Sequence, residues 1–393
     1  MVSDCGSHLT SIWILHFALR MQMLRVRTPL ITVRQVRIAV VAIAVTVTPA
    51  CSSLPWLDSV PDLPHAEAAV GHPLDLALGQ IRSLDHPDFS QAAADSALWA
   101  PLAMLRKGSA GIFFQEPYDP QRIPVLFVPG VRGSPRNFRY MIETLDRSRF
   151  QVWLFNYPSG FRIESVATLL HDLLAELERK YRYDTLFITA HSAGGLVTQS
   201  YLKSNFSEGA LVKLLVSFST PWMGNSLAGV GSRNPLVTVP SWKDLTPDSD
   251  FLISLRKPTQ TDFPLPPHYV FFGYRRDPSL LTTASSDSVI SVASQVPPWI
   301  QDQSERYWGY DTTHIGILSN ALVLRRYKAL LESAANCLRW KRSQKLKRAA
   351  RKAVNRREPT SRNHSDGDSD SPCKSENCTA ASPSFSLQTC CDL

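Results

Sequence analysis

The fold class predicted by this sequence is α/β, a mainly parallel sheet with helices on both faces, and three observations predict it. Between residue 111 and about residue 332, short runs rich in β-branched and aromatic residues alternate with amphipathic stretches. The short runs are apolar almost without a break, as strands are when both of their faces are buried. A hydrophobic content of 44% against 19% charged residues can fill the core such a sheet needs and excludes a chain disordered throughout. No apolar run approaches the roughly 18 residues of a membrane-spanning helix, which excludes a polytopic membrane protein. No repeat of roughly 20–50 residues is present, so solenoids and propellers are not expected.

The elements follow in chain order. Residues 1–50 read as an export leader: Arg20, Arg25, Arg27, Arg34 and Arg37 precede an apolar stretch, 38–47, too short to span a bilayer. Thr48-Pro49-Ala50-Cys51-Ser52-Ser53 resembles a bacterial lipoprotein signal, which implies lipidation at Cys51 and a cell-envelope location; Thr48 and Pro49 depart from the usual pattern, and a start at Met21 or Met23 gives more ordinary proportions. Residues 51–110 read as a Pro-punctuated linker and an N-terminal helical arm, with an Ala-rich helix over 90–105 capped by Ser90.

Within residues 111–336, strands are expected over 123–128, 152–157, 185–189, 212–218 and 269–272. Ile163, Val166, Leu170, Leu173, Leu174, Leu177 and Tyr181 recur at three- to four-residue intervals and give one helix with one buried stripe. Residues 222–255, with Gly229, Gly231, Pro235, Pro240, Trp242 and Pro247, form a long insertion and a candidate cap over an apolar pocket.

Residues 337–393 are expected to be a basic, then Ser- and Asp-rich, disordered tail, within which the basic tract could form a helix with a weak apolar side of Leu346, Ala349, Ala350 and Val354. Ten Lys and Arg fall in residues 339–357, and removing that run from a net charge of +8 leaves −2 for the rest. The basicity is therefore local, a nucleic-acid partner is not expected, and the tract is a candidate for peripheral contact with an anionic membrane surface. The cysteines sit near the ends; residues 52–336 hold none, which excludes a disulfide framework, a Cys-type zinc site and a thiol nucleophile there.

The sharpest local signal is the run Thr185-Leu186-Phe187-Ile188-Thr189-Ala190-His191-Ser192-Ala193-Gly194-Gly195-Leu196. An apolar strand enters a small-x-Ser-x-Gly turn and leaves as a helix, the context of a nucleophile elbow. The turn is so tight that its flanks must be small, which Ala190 and Gly194 satisfy; it lifts the Ser192 hydroxyl clear of the sheet and sets amides at a helix N-terminus, where negative charge is favoured. Upstream, 124–135 is a strand ending in the Gly-rich loop Pro129-Gly130-Val131-Arg132-Gly133.

These segments together resemble the lipase and esterase branch of the α/β-hydrolase superfamily, over roughly residues 111–335. The loop is similar to the His-Gly-x-x-Gly loop of lipases, with Pro129 in place of the usual His. The resemblance implies an oxyanion hole made by the Val131 and Ala193 amides, Ser192 as nucleophile, and a base reached in the order Ser, acid, His. Only His314 and His364 lie late enough, and His364 falls in the tail; His314, in Asp311-Thr312-Thr313-His314, is the candidate base. His191 is set aside, since neighbours on an elbow point apart, and is expected to pack or to tune the pocket.

Ser285-Ser286-Asp287-Ser288-Val289 resembles the lipase Asp-Gly-x-Val segment with Ser288 in place of Gly, so Asp287 is preferred as the acid over Asp277 and Asp311. The implied activity is cleavage of a carboxylic ester or lipid through an acyl-enzyme, with no metal or organic cofactor. Two rivals remain on the same scaffold: an acyltransferase, and a non-catalytic envelope module.

Overall fold

The computed structural model describes residues 75–204, 211–226, 228, 239–258, 263–275 and 285–355. The leader, Cys51, Asp277, His364 and the tail beyond 355 lie outside the described residues.

Among the described residues, eight strands form one sheet: β1 (Ala77–Ile81), β2 (Gly111–Phe114), β3 (Ile123–Val128), β4 (Phe150–Asn156), β5 (Leu186–His191), β6 (Val212–Phe218), β7 (His268–Tyr274) and β8 (Arg306–Asp311). Their spatial order is β1-β2-β4-β3-β5-β6-β7-β8. The run from β4 through β3 to β8 is parallel throughout, and β2 pairs with β4 antiparallel.

Alternation along the strands divides the core in two. In β3, Leu126 and Val128 face one layer with Trp153 and Phe155 of β4, while Val125 and Phe127 face the other with Val152 and Leu154. The first layer is filled by α4 (Ile163–Tyr181) and α5 (Ala193–Lys203), through Leu170, Leu173, Leu174, Leu196 and Val197. The second is filled by α3 (Arg139–Glu143) and α10 (Ala321–Asn355), through Met141, Val323, Tyr327 and Leu331. The expected stripe of α4 is buried from Ile163 to Leu177, and its C-terminal Arg182 takes the left-handed conformation that ends a helix.

Two expected boundaries give way. Residues 75–110 are not a linker and arm beside the domain: β1 joins the sheet, α1 (Gln91–Trp99) and α2 (Pro101–Arg106) follow, and Phe89, Leu98 and Leu105 are buried. Ser90 does cap α1, accepting from the Ala93 amide at 3.2 Å, but Pro101 ends that helix because it cannot continue the ladder and starts the next one. At the other end, α10 runs without a break through the boundary expected at residue 336 to Asn355. Past residue 336, Arg342 of this helix donates to Asp184 at 2.5 Å and to Thr185 at 2.8 Å, fastening the start of the basic stretch to the foot of β5.

Of the insertion 222–255, residues 227 and 229–238 lie outside the described residues. Trp222 is fully buried, with its ring edge-on to His268 and Trp299 at centroid distances of 5.5 and 5.8 Å. The insertion holds α6 (Pro240–Leu245) and α7 (Asp250–Arg256), and α8 (Val292–Gln295) and α9 (Pro298–Gln303) follow β7. The buried Asp244 of α6 accepts from the Ile163 amide at 2.7 Å and pairs with Arg162 at 2.6 Å, so it caps α4 from a distance of 81 residues in sequence.

Candidate active site

β5 delivers Ser192 into a turn with φ 54° and ψ −131°, a conformation an L-residue holds only where the surroundings impose it. Three contacts impose it. The Ser192 amide donates to the Phe218 carbonyl of β6 at 2.8 Å. A Cβ on Gly194 would come within 2.3 Å of the Val128 carbonyl oxygen, and one on Gly130 within 2.6 Å of the Ser192 Cβ. The elbow and the Gly-rich loop are thus packed backbone to backbone, with glycine required at both contacts.

His314 lies in the turn after β8, and its Nε2 is 3.0 Å from the Ser192 Oγ. Its Nδ1 is 2.7 Å from Oδ2 of Asp287. A carboxylate only accepts, so Nδ1 carries the proton and the Nε2 lone pair is left to receive the serine hydroxyl. Asp287 is wholly buried, His314 nearly so, and Ser192 is half-exposed, so one end of the chain is sealed from water and the other is open to it.

Burial pushes the Asp287 carboxyl up. The His314 hydrogen bond and charge, with the Ile290 and Val289 amides, outweigh it and hold the group below the usual carboxylate range. Those amides both donate to Oδ1, at 2.7 and 2.9 Å. The acid and base loops are also joined through the backbone, the His314 amide donating to the Asp287 carbonyl at 2.8 Å. Asp311 ends β8 on the surface, and His314 bonds Asp287.

His191 packs its ring against that of His314, with centroids 4.7 Å apart, and its Nε2 donates to the His314 carbonyl at 2.8 Å. Burial first, then the nearby His314 charge, lower its pKa to about 3, so it is a neutral donor at ordinary pH. Near the elbow, neither the Val131 nor the Ala193 amide has an acceptor among the described residues. Arg132 beside them has φ 58°.

Several residues that shape the site escape a reading of the sequence. The Tyr157 hydroxyl donates to the Pro129 carbonyl at 2.7 Å, and burial pushes its pKa up, so it stays a donor. Ser159 Oγ accepts from the Arg132 amide at 3.3 Å, and Gln91 of α1 donates to the Arg132 carbonyl at 3.1 Å. The fully buried Gln295 clamps the acid loop: its Oε1 accepts from the Gly273 amide, and its Nε2 donates to the Gly273 and Ile290 carbonyls, all at 3.0 Å. No motif marks these side chains, because each partner is a backbone group, and all but Ile290 are distant in sequence.

No protein-family model matches the chain, and no curated protein matches its sequence. Among solved structures it is similar to the mature form of a Bacillus licheniformis lipase, at 18% identity over 56% of this chain and 97% of that one, with a TM-score of 0.46. It is also similar to a Paleococcus ferrophilus monoacylglycerol lipase (16% identity, 54% and 94% covered, TM-score 0.39) and to a Nitrososphaera gargenis carboxylesterase (10%, 57% and 95%, TM-score 0.38). The strand order, the antiparallel second strand and the strand-elbow-helix at Ser192 are those of an α/β-hydrolase fold, which this chain has.

Proposed function

We propose that the protein is a serine hydrolase that cleaves carboxylic esters, with Ser192 as nucleophile, His314 as general base and Asp287 as its orienting carboxylate. The observation that carries this reading is the unbroken hydrogen-bond chain from Ser192 Oγ through both nitrogens of His314 to Asp287, 3.0 and 2.7 Å long. The hydroxyl oxygen of Ser192 attacks the ester carbonyl carbon while its proton passes to Nε2 of His314. Asp287, ionised because its pKa is held down, stabilises the imidazolium that forms. The amides of Val131 and Ala193, free of other acceptors among the described residues, receive the carbonyl oxygen as it becomes negative. The imidazolium returns the proton to the departing alkoxide, and water, deprotonated by the same His314, then releases the acid and regenerates the hydroxyl.

A ladder of p-nitrophenyl esters from acetate to palmitate tests this. Wild type should turn over part of the ladder, and Ser192→Ala should lose at least about a thousandfold in kcat. Equal turnover by both would reject the assignment. Adding an alcohol separates hydrolysis from acyl transfer by the product formed.

The leader and Cys51 favour action at the cell envelope, and the basic residues 339–357 favour contact there with an anionic membrane surface. Globomycin treatment of cells making the protein should leave a precursor of higher mass. An unchanged mass would speak against lipidation at Cys51.

A further inference from the structure

A groove of about 590 Å³ lies between the edge strand β8 and the first turns of α10, and it shares no lining residue with Ser192, His314 or Asp287. The two elements build it by their periods. β8 contributes Arg306, Trp308 and Tyr310 at every second residue, and α10 contributes Leu322, Arg325, Arg326, Ala329 and Leu330 at helical spacing. The floor is aromatic: Trp308 stacks on Tyr269 at 5.9 Å with planes 5° apart and lies 5.0 Å from Phe271, while Tyr310 stacks on Phe271 at 6.0 Å. Arg326 rests over the Trp308 ring, 4.9 Å from its centroid, and Leu322 on the rim is 59% exposed.

The charge is one-sided. Among the described residues no acid lines the groove and none of the three guanidinium groups has a carboxylate partner, whereas Lys328 on the same helix pairs with Glu332. Three cations without a carboxylate partner among the described residues, around an apolar floor, narrow the choice of occupant. A second copy of this chain docking face to face would set these arginines against themselves. An apolar segment would desolvate three charges without compensation. An inorganic anion would leave the aromatic floor and Leu322 in water.

We propose that this groove is a binding site for a carboxylate amphiphile with a single acyl chain. The carboxylate is held by the fork of Arg325 and Arg326 with Arg306, and the chain lies on Trp308, Leu322 and Leu330. The site goes beyond the ester-cleaving role proposed for Ser192 and does not depend on it.

Calorimetric titration of the full chain with decanoate, kept below its micellar concentration, tests the proposal, with decanol as the neutral counterpart. Wild type should show a saturable decanoate site that weakens at least tenfold in R325A/R326A, and decanol should bind at least tenfold more weakly than decanoate. R325K/R326K should recover affinity to within threefold, which separates loss of charge from damage to the fold. Both arginines are exposed, so ester turnover should persist in either variant. Absence of a saturable site, equal decanoate affinity in wild type and R325A/R326A, or equal affinity for decanol and decanoate would each overturn it. Loss of ester turnover in wild type would reject the Ser192 reading while leaving this titration intact.

Discussion

Of the six non-glycine residues with positive φ among the described residues, Ser192 and Ser288 make the sharpest contrast in what that conformation does. At Ser192 the conformation lifts the hydroxyl toward His314, so its cost, about 1–3 kcal/mol, is tied to function. At Ser288, with φ 82°, the side chain does nothing comparable. Ser288→Gly should therefore stabilise the fold by about 1 kcal/mol with kcat unchanged, as read from a urea midpoint and a rate. Asp287→Asn keeps the shape of the site but leaves the imidazole without a carboxylate to set its tautomer; kcat should fall by about 10⁴ while Asp311→Asn has no such effect. His191 acts on the base through the backbone, since it donates to the His314 carbonyl. His191→Ala should lower kcat by about ten- to a hundredfold with little change in KM, and His191→Gln, which keeps a donor, should recover part of the loss.

Strands β3 to β7 and helix α4 were legible because each is long enough, and buried on enough sides, to write its period into the sequence. β1, β2 and β8 were not. β2 has only four residues, β1 carries Gly79 at φ 84°, and β8 is an edge strand whose Arg306, Trp308 and Tyr310 line a groove, with only the two aromatic rings packed partly against the core. The elbow, and the juxtaposition of Asp287 and His314 with it, were legible because the chain order expected of such a site filters the candidates. The clamp that holds the acid loop was not, since Gln295 is a buried glutamine recognisable only by the Gly273 and Ile290 backbone groups it meets. Gln295→Ala leaves those groups unsatisfied in a buried place, so it should destabilise the fold by about 2–4 kcal/mol and loosen Asp287. Thermal melts report the first effect and kcat the second. Full stability in the variant would remove the clamp from the picture.

For the molecule as a whole, two buried histidines set a dependence on acid. Burial first, with the His314 charge at His191, lowers both His191 and His268 from 6.5 to about 3; His268 sits 2.8 Å from the Ser217 hydroxyl beneath Trp222. Between those limits the unfolded chain takes up protons that the folded chain refuses, so stability is lost as pH falls through that window. Each histidine contributes a slope of about 1.4 kcal/mol per pH unit there. Asp287, held low when folded, adds to the loss once pH falls to about 3.8, the ordinary carboxylate value, as protonation in the unfolded chain outruns that in the folded one. Urea midpoints between pH 7 and pH 4 should therefore drop steeply, and His268→Gln should flatten the slope by about one proton.

The most direct test is the bond the mechanism must make. Wild-type protein mixed with p-nitrophenyl butyrate and quenched in acid within milliseconds should yield a peptide carrying one butyryl group on Ser192. Ser192→Ala should carry none, and Asp287→Asn should acylate far more slowly. Acylation of another residue, or ester turnover with no acyl group ever found on Ser192, would contradict the proposed chemistry.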